Sequence, residues 1–95
     1  MEVLQPLCDF FKNIQSDGRI GVTHIGVYAA LLDYRVRHNM ENPVRAFSYE
    51  IMALAKIASG FTYYKCIREL SEYGYINYIP SYKKTQASSI YFFDK

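Results

Sequence analysis

The order of local patterns in residues 48–93 constrains the fold of this chain more than any other feature. Two short helical patterns come first, separated by a break at residues 57–60. Gly74 ends the second pattern, because glycine readily takes the positive φ at which many helices end. Two β-rich segments follow, at residues 75–79 and 89–93, with a polar loop between them. The order helix, turn, helix, strand, loop, strand predicts an α+β winged helix-turn-helix.

The residues before this stretch predict an extra N-terminal helix and a further core helix. Apolar residues recur at spacings of three and four over residues 4–15, so we expect residues 1–16 to contain an amphipathic helix. We expect a broad central helix over residues 24–38 with Thr23 as its N-cap, and a brief strand at residues 45–47. At 95 residues the chain has room for a single domain, with residues 23–93 as the winged-helix core.

Cysteine usage and hydropathy limit the cellular compartments in which we expect the protein. Cys8 and Cys66 both fall in apolar helical patterns, which predicts two buried free thiols. No signal peptide is recognisable, and no run approaches the roughly 18 apolar residues that a membrane span needs. We therefore expect a soluble cytoplasmic protein that has no membrane partner.

Charge is distributed unevenly along the chain. The net charge is +2, yet residues 1–60 carry six basic and six acidic side chains. The excess therefore comes from residues 61–95, where five basic side chains meet three acidic ones. Because those residues include the second helix of the pair and the loop between the strands, a nucleic-acid partner is favoured.

In a helix-turn-helix, the N-terminal half of the second helix enters the major groove of DNA. That half begins here after Ser59, and the loop between the two strands would be the wing that meets the phosphate backbone. The residues that we predict to contact double-stranded DNA are Ser59, Phe61, Thr62, Tyr64, Lys65, Arg68, Tyr82, Lys83 and Lys84.

Alternative interpretations stay open at this stage. Taken singly, each of these polar residues is also typical of a solvent-facing helix or hairpin. Winged helices also serve as protein-interaction modules, so a role in a replication or mobilisation assembly is the second hypothesis. If the apolar face of the N-terminal helix is not buried on its own domain, we expect it to be a homodimer interface or a site for another partner.

The sequence offers little for catalysis, a cofactor or a metal ion. His24 and His38 would lie about 21 Å apart along one helix, at 1.5 Å per residue, so they cannot share a metal ion or a proton. We expect His24 to have a structural or capping role. No zinc spacing, phosphate-binding loop or paired carboxylates occur, so we predict a protein that is not an enzyme.

Several segments resemble a group of small bacterial proteins, described as winged-helix transcriptional regulators and associated with mobile genetic elements. The resemblance covers roughly residues 17–93 and includes residues 23–31 and 62–70. The step from Leu70 through Gly74 to Ile76 is similar to the end of the recognition helix in MarR-like regulators and plasmid replication initiators. The resemblance implies that Thr62, Tyr64 and Lys65 face DNA, and it implies no cofactor or catalytic residue. It also implies that the core takes up Tyr63, Cys66, Ile67 and Leu70.

Overall fold

A computed structural model describes residues 4–93, and within them four helices pack against a small antiparallel sheet. The chain is therefore α+β, and the element order is compatible with a winged helix. The helices are α1 (Gln5–Asn13), α2 (Val22–Arg37), α3 (Ser48–Ala55) and α4 (Gly60–Glu72). The strands are β1 (Val44–Ala46), β2 (Ile76–Ile79) and β3 (Ser88–Phe92).

Strand β3 is the centre of the sheet, with β1 and β2 as its two antiparallel neighbours. Ile90 lies opposite Val44 on one side and opposite Tyr78 on the other. Ile90 and Val44 are both buried, so one face of the sheet packs against the helices. The connection from β2 to β3 is the polar loop at residues 80–87, which projects beyond the paired strands.

One hydrophobic core joins the helices and the sheet. Helix α2 supplies Val27 and Leu31, which have no solvent exposure, and it contacts α1, α3, α4 and β1. Its central position agrees with the broad apolar face in its sequence, because a helix touched on several sides needs apolar residues around most of its circumference.

The break between α3 and α4 is a short turn, as the sequence predicts. Helix α3 ends at Ala55, and Lys56 takes a left-handed conformation with φ at 61°. Helix α4 begins at Gly60 after Ser59, whose hydroxyl accepts a hydrogen bond from the Thr62 N–H at 3.3 Å. At the other end of α4, Gly74 has φ at 88°, which confirms its predicted place after the helix.

The N-terminal helix lies where the sequence predicts it but differs in which face is buried. Helix α1 covers Gln5–Asn13, within the predicted residues 1–16, and residues 1–3 lie outside the described part of the chain. Phe10 is the buried residue of α1, whereas Cys8 is exposed. The prediction of a buried Cys8 was therefore wrong, because so many residues of this helix are apolar that spacing alone does not fix the buried face.

Other boundaries are displaced by one or two residues, each for a local reason. Thr23 is not the N-cap of α2, because the helix begins at Val22 and the His24 side chain accepts the Gly21 N–H. Strand β1 ends at Ala46 because Phe47 becomes the N-cap of α3. Strand β2 begins after Tyr75, whose N–H still bonds the carbonyl of Leu70 at the end of α4.

No helix within residues 4–93 is both long and apolar enough to cross a membrane.

Candidate nucleic-acid interface

Helix α4 has one face that holds it in the protein and one face that meets solvent. Tyr63, Cys66, Ile67 and Leu70 are buried, as the sequence predicts. Burial raises the pKa of the Tyr63 phenol and of the Cys66 thiol, so both stay neutral at physiological pH. A neutral buried thiol is a poor nucleophile, so Cys66 acts as a core residue.

The opposite face of α4 presents an exposed ridge formed by Phe61, Lys65 and Arg68. These residues follow one another at spacings of four and three, so they align along the helix. Phe61, in the first turn, is 76% exposed. The ridge therefore combines an aromatic side chain near the N-terminus of α4 with two cations further along it.

Ser59 and Thr62 lie at the N-terminal end of this ridge. Ser59 is exposed, and its hydroxyl oxygen is already used as the acceptor that caps α4. Thr62 is half-buried and lies on the side of α4 that faces the start of α2. Both residues are near the exposed face, and Ser59 has a structural role there as the N-cap of α4.

Tyr64 lies on the side of α4 that faces β2. Its ring is exposed at the surface and meets the buried Tyr63 edge-on, with the ring centroids 5.3 Å apart. Tyr78 of β2 is close by. Burial raises the pKa of its phenol, while a hydrogen bond with Ser88 and the nearby charge of Arg68 act in the opposite direction. Arg68 therefore lies near Tyr78, on the strand that leads into the wing.

The predicted wing is the most exposed part of this surface. Tyr82 is 94% exposed, and Lys83 and Lys84 are exposed beside it. Hydrogen bonds hold the base of the loop, where the Ser81 N–H donates to Oγ of Ser88 at 3.1 Å. The side chains of the wing therefore project into solvent from a closed base.

Glu69, an acidic residue of α4, lies on the flank of the helix and pairs with His24. Oε1 of Glu69 lies 2.9 Å from Nε2 of His24, and Oε2 accepts a hydrogen bond from the Tyr73 hydroxyl at 3.3 Å. The hydrogen bond from His24 is the main cause that lowers the pKa of Glu69. The nearby charge of Lys65 also lowers this pKa, so the carboxylate lies close enough to the ridge to offset part of its positive charge. The second nitrogen of His24 accepts the Gly21 N–H at 3.0 Å, which confirms the predicted structural and capping role of this residue.

One functional candidate was missed at the sequence level. Val22, which precedes the helix predicted from the sequence, is the first residue of α2 and is 86% exposed. Val22 and Phe61 line a shallow cleft of about 280 Å³ between α2 and α4, together with Thr62 and Lys65. A contact between two helices so distant in sequence leaves no local pattern that could have indicated it.

Metal ligands do not converge at this surface. Within residues 4–93, no three His, Cys, Asp or Glu side chains are grouped so that they could hold a metal ion.

Comparison with models of known protein families, with curated proteins and with solved structures found no match for this chain.

Proposed function

We propose that residues 23–93 form a winged helix-turn-helix and that the protein binds double-stranded DNA sequence-specifically, as a regulator of transcription. One observation carries this proposal. The solvent-facing side of α4 presents Phe61, Lys65 and Arg68, and the exposed wing beside it presents Lys83 and Lys84. The resemblance to small bacterial winged-helix regulators favours the same function, which would place the protein in the cytoplasm, where bacterial DNA lies.

In this proposal, α4 enters the major groove with its N-terminal half toward the base edges. Thr62 and Tyr64 would donate hydrogen bonds to bases or phosphates from either side of the ridge. Lys65 and Arg68 would meet phosphates or the acceptor atoms of guanine. The four buried residues of α4 support this role, because a recognition helix must be held rigidly for its exposed side chains to discriminate between bases.

The wing would contribute binding that does not depend on base sequence. Lys83 and Lys84 would neutralise phosphates and release counterions, which makes affinity fall as salt rises. Tyr82 would pack against the sugar-phosphate backbone next to them. Specificity would therefore come mainly from α4, and electrostatic attraction from both elements.

Variants of the two elements test the proposal by fluorescence anisotropy with duplexes selected from a random pool. K65A should weaken binding about tenfold, corresponding to about 1.4 kcal/mol. K83A/K84A should reduce the slope of log affinity against log salt by about 1.8, since each phosphate contact contributes about 0.9. Lys12 is an exposed lysine of α1, so K12A is a matched control that should keep wild-type affinity and slope.

If the purified wild-type protein shows no salt-dependent binding to any duplex pool, the DNA-binding proposal is wrong. If K12A weakens binding as much as K65A, the affinity comes from net charge rather than from the surface of α4.

The second hypothesis, a protein-interaction module, is favoured by a different observation on α1. Leu4, Cys8 and Phe11 are exposed at spacings of four and three, so they form an apolar stripe on the side of α1 next to its buried face. We define these three residues as the α1 stripe. Burial of the stripe against a second copy is the homodimer that the sequence predicts, and it remains a prediction. A dimer also suits DNA binding, because two recognition helices would contact paired half-sites.

A further inference from the structure

Phe61 is exposed in a way that packing within the chain does not explain. It lies in the first turn of α4 and is 76% exposed, while four other residues of the helix are buried in the core. Isolated exposed apolar residues are common on protein surfaces. Phe61 is not isolated, however, because it shares the cleft between α2 and α4 with Val22, which is 86% exposed.

The surroundings of this apolar pair indicate what it would contact. Lys65 lines the same cleft, and Arg68 follows on the ridge. The carboxylate of Glu69, which also borders the cleft, is paired with His24. An apolar pair next to cations complements the major groove, where phosphates flank the 5-methyl groups of thymine.

The size of the cleft fits such a group. At about 280 Å³ and open to solvent, it is smaller than the pockets that enclose most small ligands. A methyl group requires only a shallow apolar surface. Phenylalanine is among the side chains that contact the thymine methyl in the major groove.

We infer that Phe61, with Val22 beside it, recognises the 5-methyl group of a thymine in the DNA site. This inference rests on the proposed function, because it requires α4 to lie in the major groove. Lys65 is four residues from Phe61, or about 6 Å along a helix that rises 1.5 Å per residue. Base pairs are about 3.4 Å apart, so a base contacted by Lys65 lies within about two base pairs of this thymine.

The experiment replaces each thymine of the selected duplex in turn by uracil, which lacks only the 5-methyl group. Wild-type protein should bind about fourfold more weakly when the recognised thymine is replaced, as expected for losing one buried methyl group. F61A should bind the thymine and uracil duplexes equally, and F61L should retain part of the difference. Phe93 is a comparably exposed phenylalanine that lines a different cleft, beside α1, so F93A should respond to uracil as the wild type does.

Several outcomes would overturn the inference. One is salt-dependent binding in which no uracil replacement has an effect, which leaves the proposed function intact. Another is an effect of uracil that persists unchanged in F61A. A third is tighter binding to single-stranded DNA than to the duplex that is lost in F61A, which would mean that Phe61 stacks on an unpaired base. If the wild type binds no duplex at all, the proposed function and the inference both fail. As a control, F61A and F61L should unfold thermally at the same temperature as the wild type, which would show that both variants are folded.

Discussion

Helices α1 and α4 both expose apolar side chains, but the core holds the two helices differently. Four residues of α4 are buried, and α4 contacts α2, α3 and β2. In α1 the buried residue is Phe10, and Leu7 and Ile14 are only partly buried. Exposed residues on α4 therefore lie on a rigid frame, as the proposed recognition of bases requires. The α1 stripe lies on a peripheral helix, where burial by a partner would add the most support.

Polar contacts reinforce this difference. The pairing of Glu69 with His24 connects α4 directly to the start of α2. Helix α1 depends instead on aromatic packing, since the ring of Phe10 stacks on Tyr28 with centroids 3.9 Å apart and meets Tyr75 edge-on at 5.3 Å. Truncating a buried side chain of α1 should therefore destabilise that helix alone. Truncating a buried side chain of α4 should destabilise the whole protein.

The largest expected effect comes from truncating a buried residue in each helix. I67A and F10A should each cost about 2–5 kcal/mol of packing free energy. I67A should lower the free energy of unfolding of the whole protein in urea titrations. F10A should instead speed amide hydrogen exchange in α1 far more than in α4, because α1 can detach while the rest of the core stays folded.

R68A is the matched control for I67A, because it changes the next residue of the same helix on its exposed side. It should change stability by less than about 0.5 kcal/mol while weakening DNA binding. If F10A and I67A give the same pattern of exchange, the two helices are equally integrated and the contrast between them is wrong.

A smaller effect should appear when the link between α4 and α2 is weakened by acid. Since the pKa of Glu69 is lowered from 4.5 in the folded protein, mainly by the hydrogen bond from His24, its contribution to stability is complete above about pH 4.5. That contribution is lost as pH falls through the lowered pKa. In urea titrations between about pH 6 and 3, the free energy of unfolding should fall less for E69Q than for the wild type.

Glu72 provides the control for this experiment, because it is an exposed carboxylate on the same helix. E72Q removes the same charge from α4 without removing the partner of His24, so it measures the effect of charge alone. Equal acid profiles for E69Q and the wild type would mean that the pairing with His24 adds no stability.

The sequence predicts most of α4 and little of the contacts around it. The buried and exposed faces of α4 follow from residue spacing, since Tyr63, Cys66, Ile67 and Leu70 repeat at helical intervals between polar residues. In α1 the same reasoning fails at Cys8 and Phe10, because apolar residues occur on adjacent sides of the helix. There the aromatic contacts with Tyr28 and Tyr75 decide which side is buried, and these contacts come from distant parts of the chain.

In the candidate site, too, some features follow from the local sequence and others from contacts between distant residues. Lys83 and Lys84 are predictable as exposed, because a polar loop between two strands carries its side chains into solvent. The pairing of His24 with Glu69 joins residues 45 positions apart, and neither residue has a local pattern that indicates the other. The cleft lined by Val22 and Phe61 has the same origin, because packing of α2 against α4 forms it.

The smallest expected effect concerns the α1 stripe and is the most direct test of the contrast between the helices. If the stripe forms a homodimer, light scattering should give twice the monomer mass. F11E should then raise the dissociation constant of the dimer by about tenfold or more, because a charge would have to be buried at the interface. Asn13 is exposed on the opposite side of α1, so N13E adds the same charge and should leave the dimer intact. A wild-type protein that stays monomeric would show that the stripe is not a self-association surface. DNA binding would then depend on one copy of α4 and its wing.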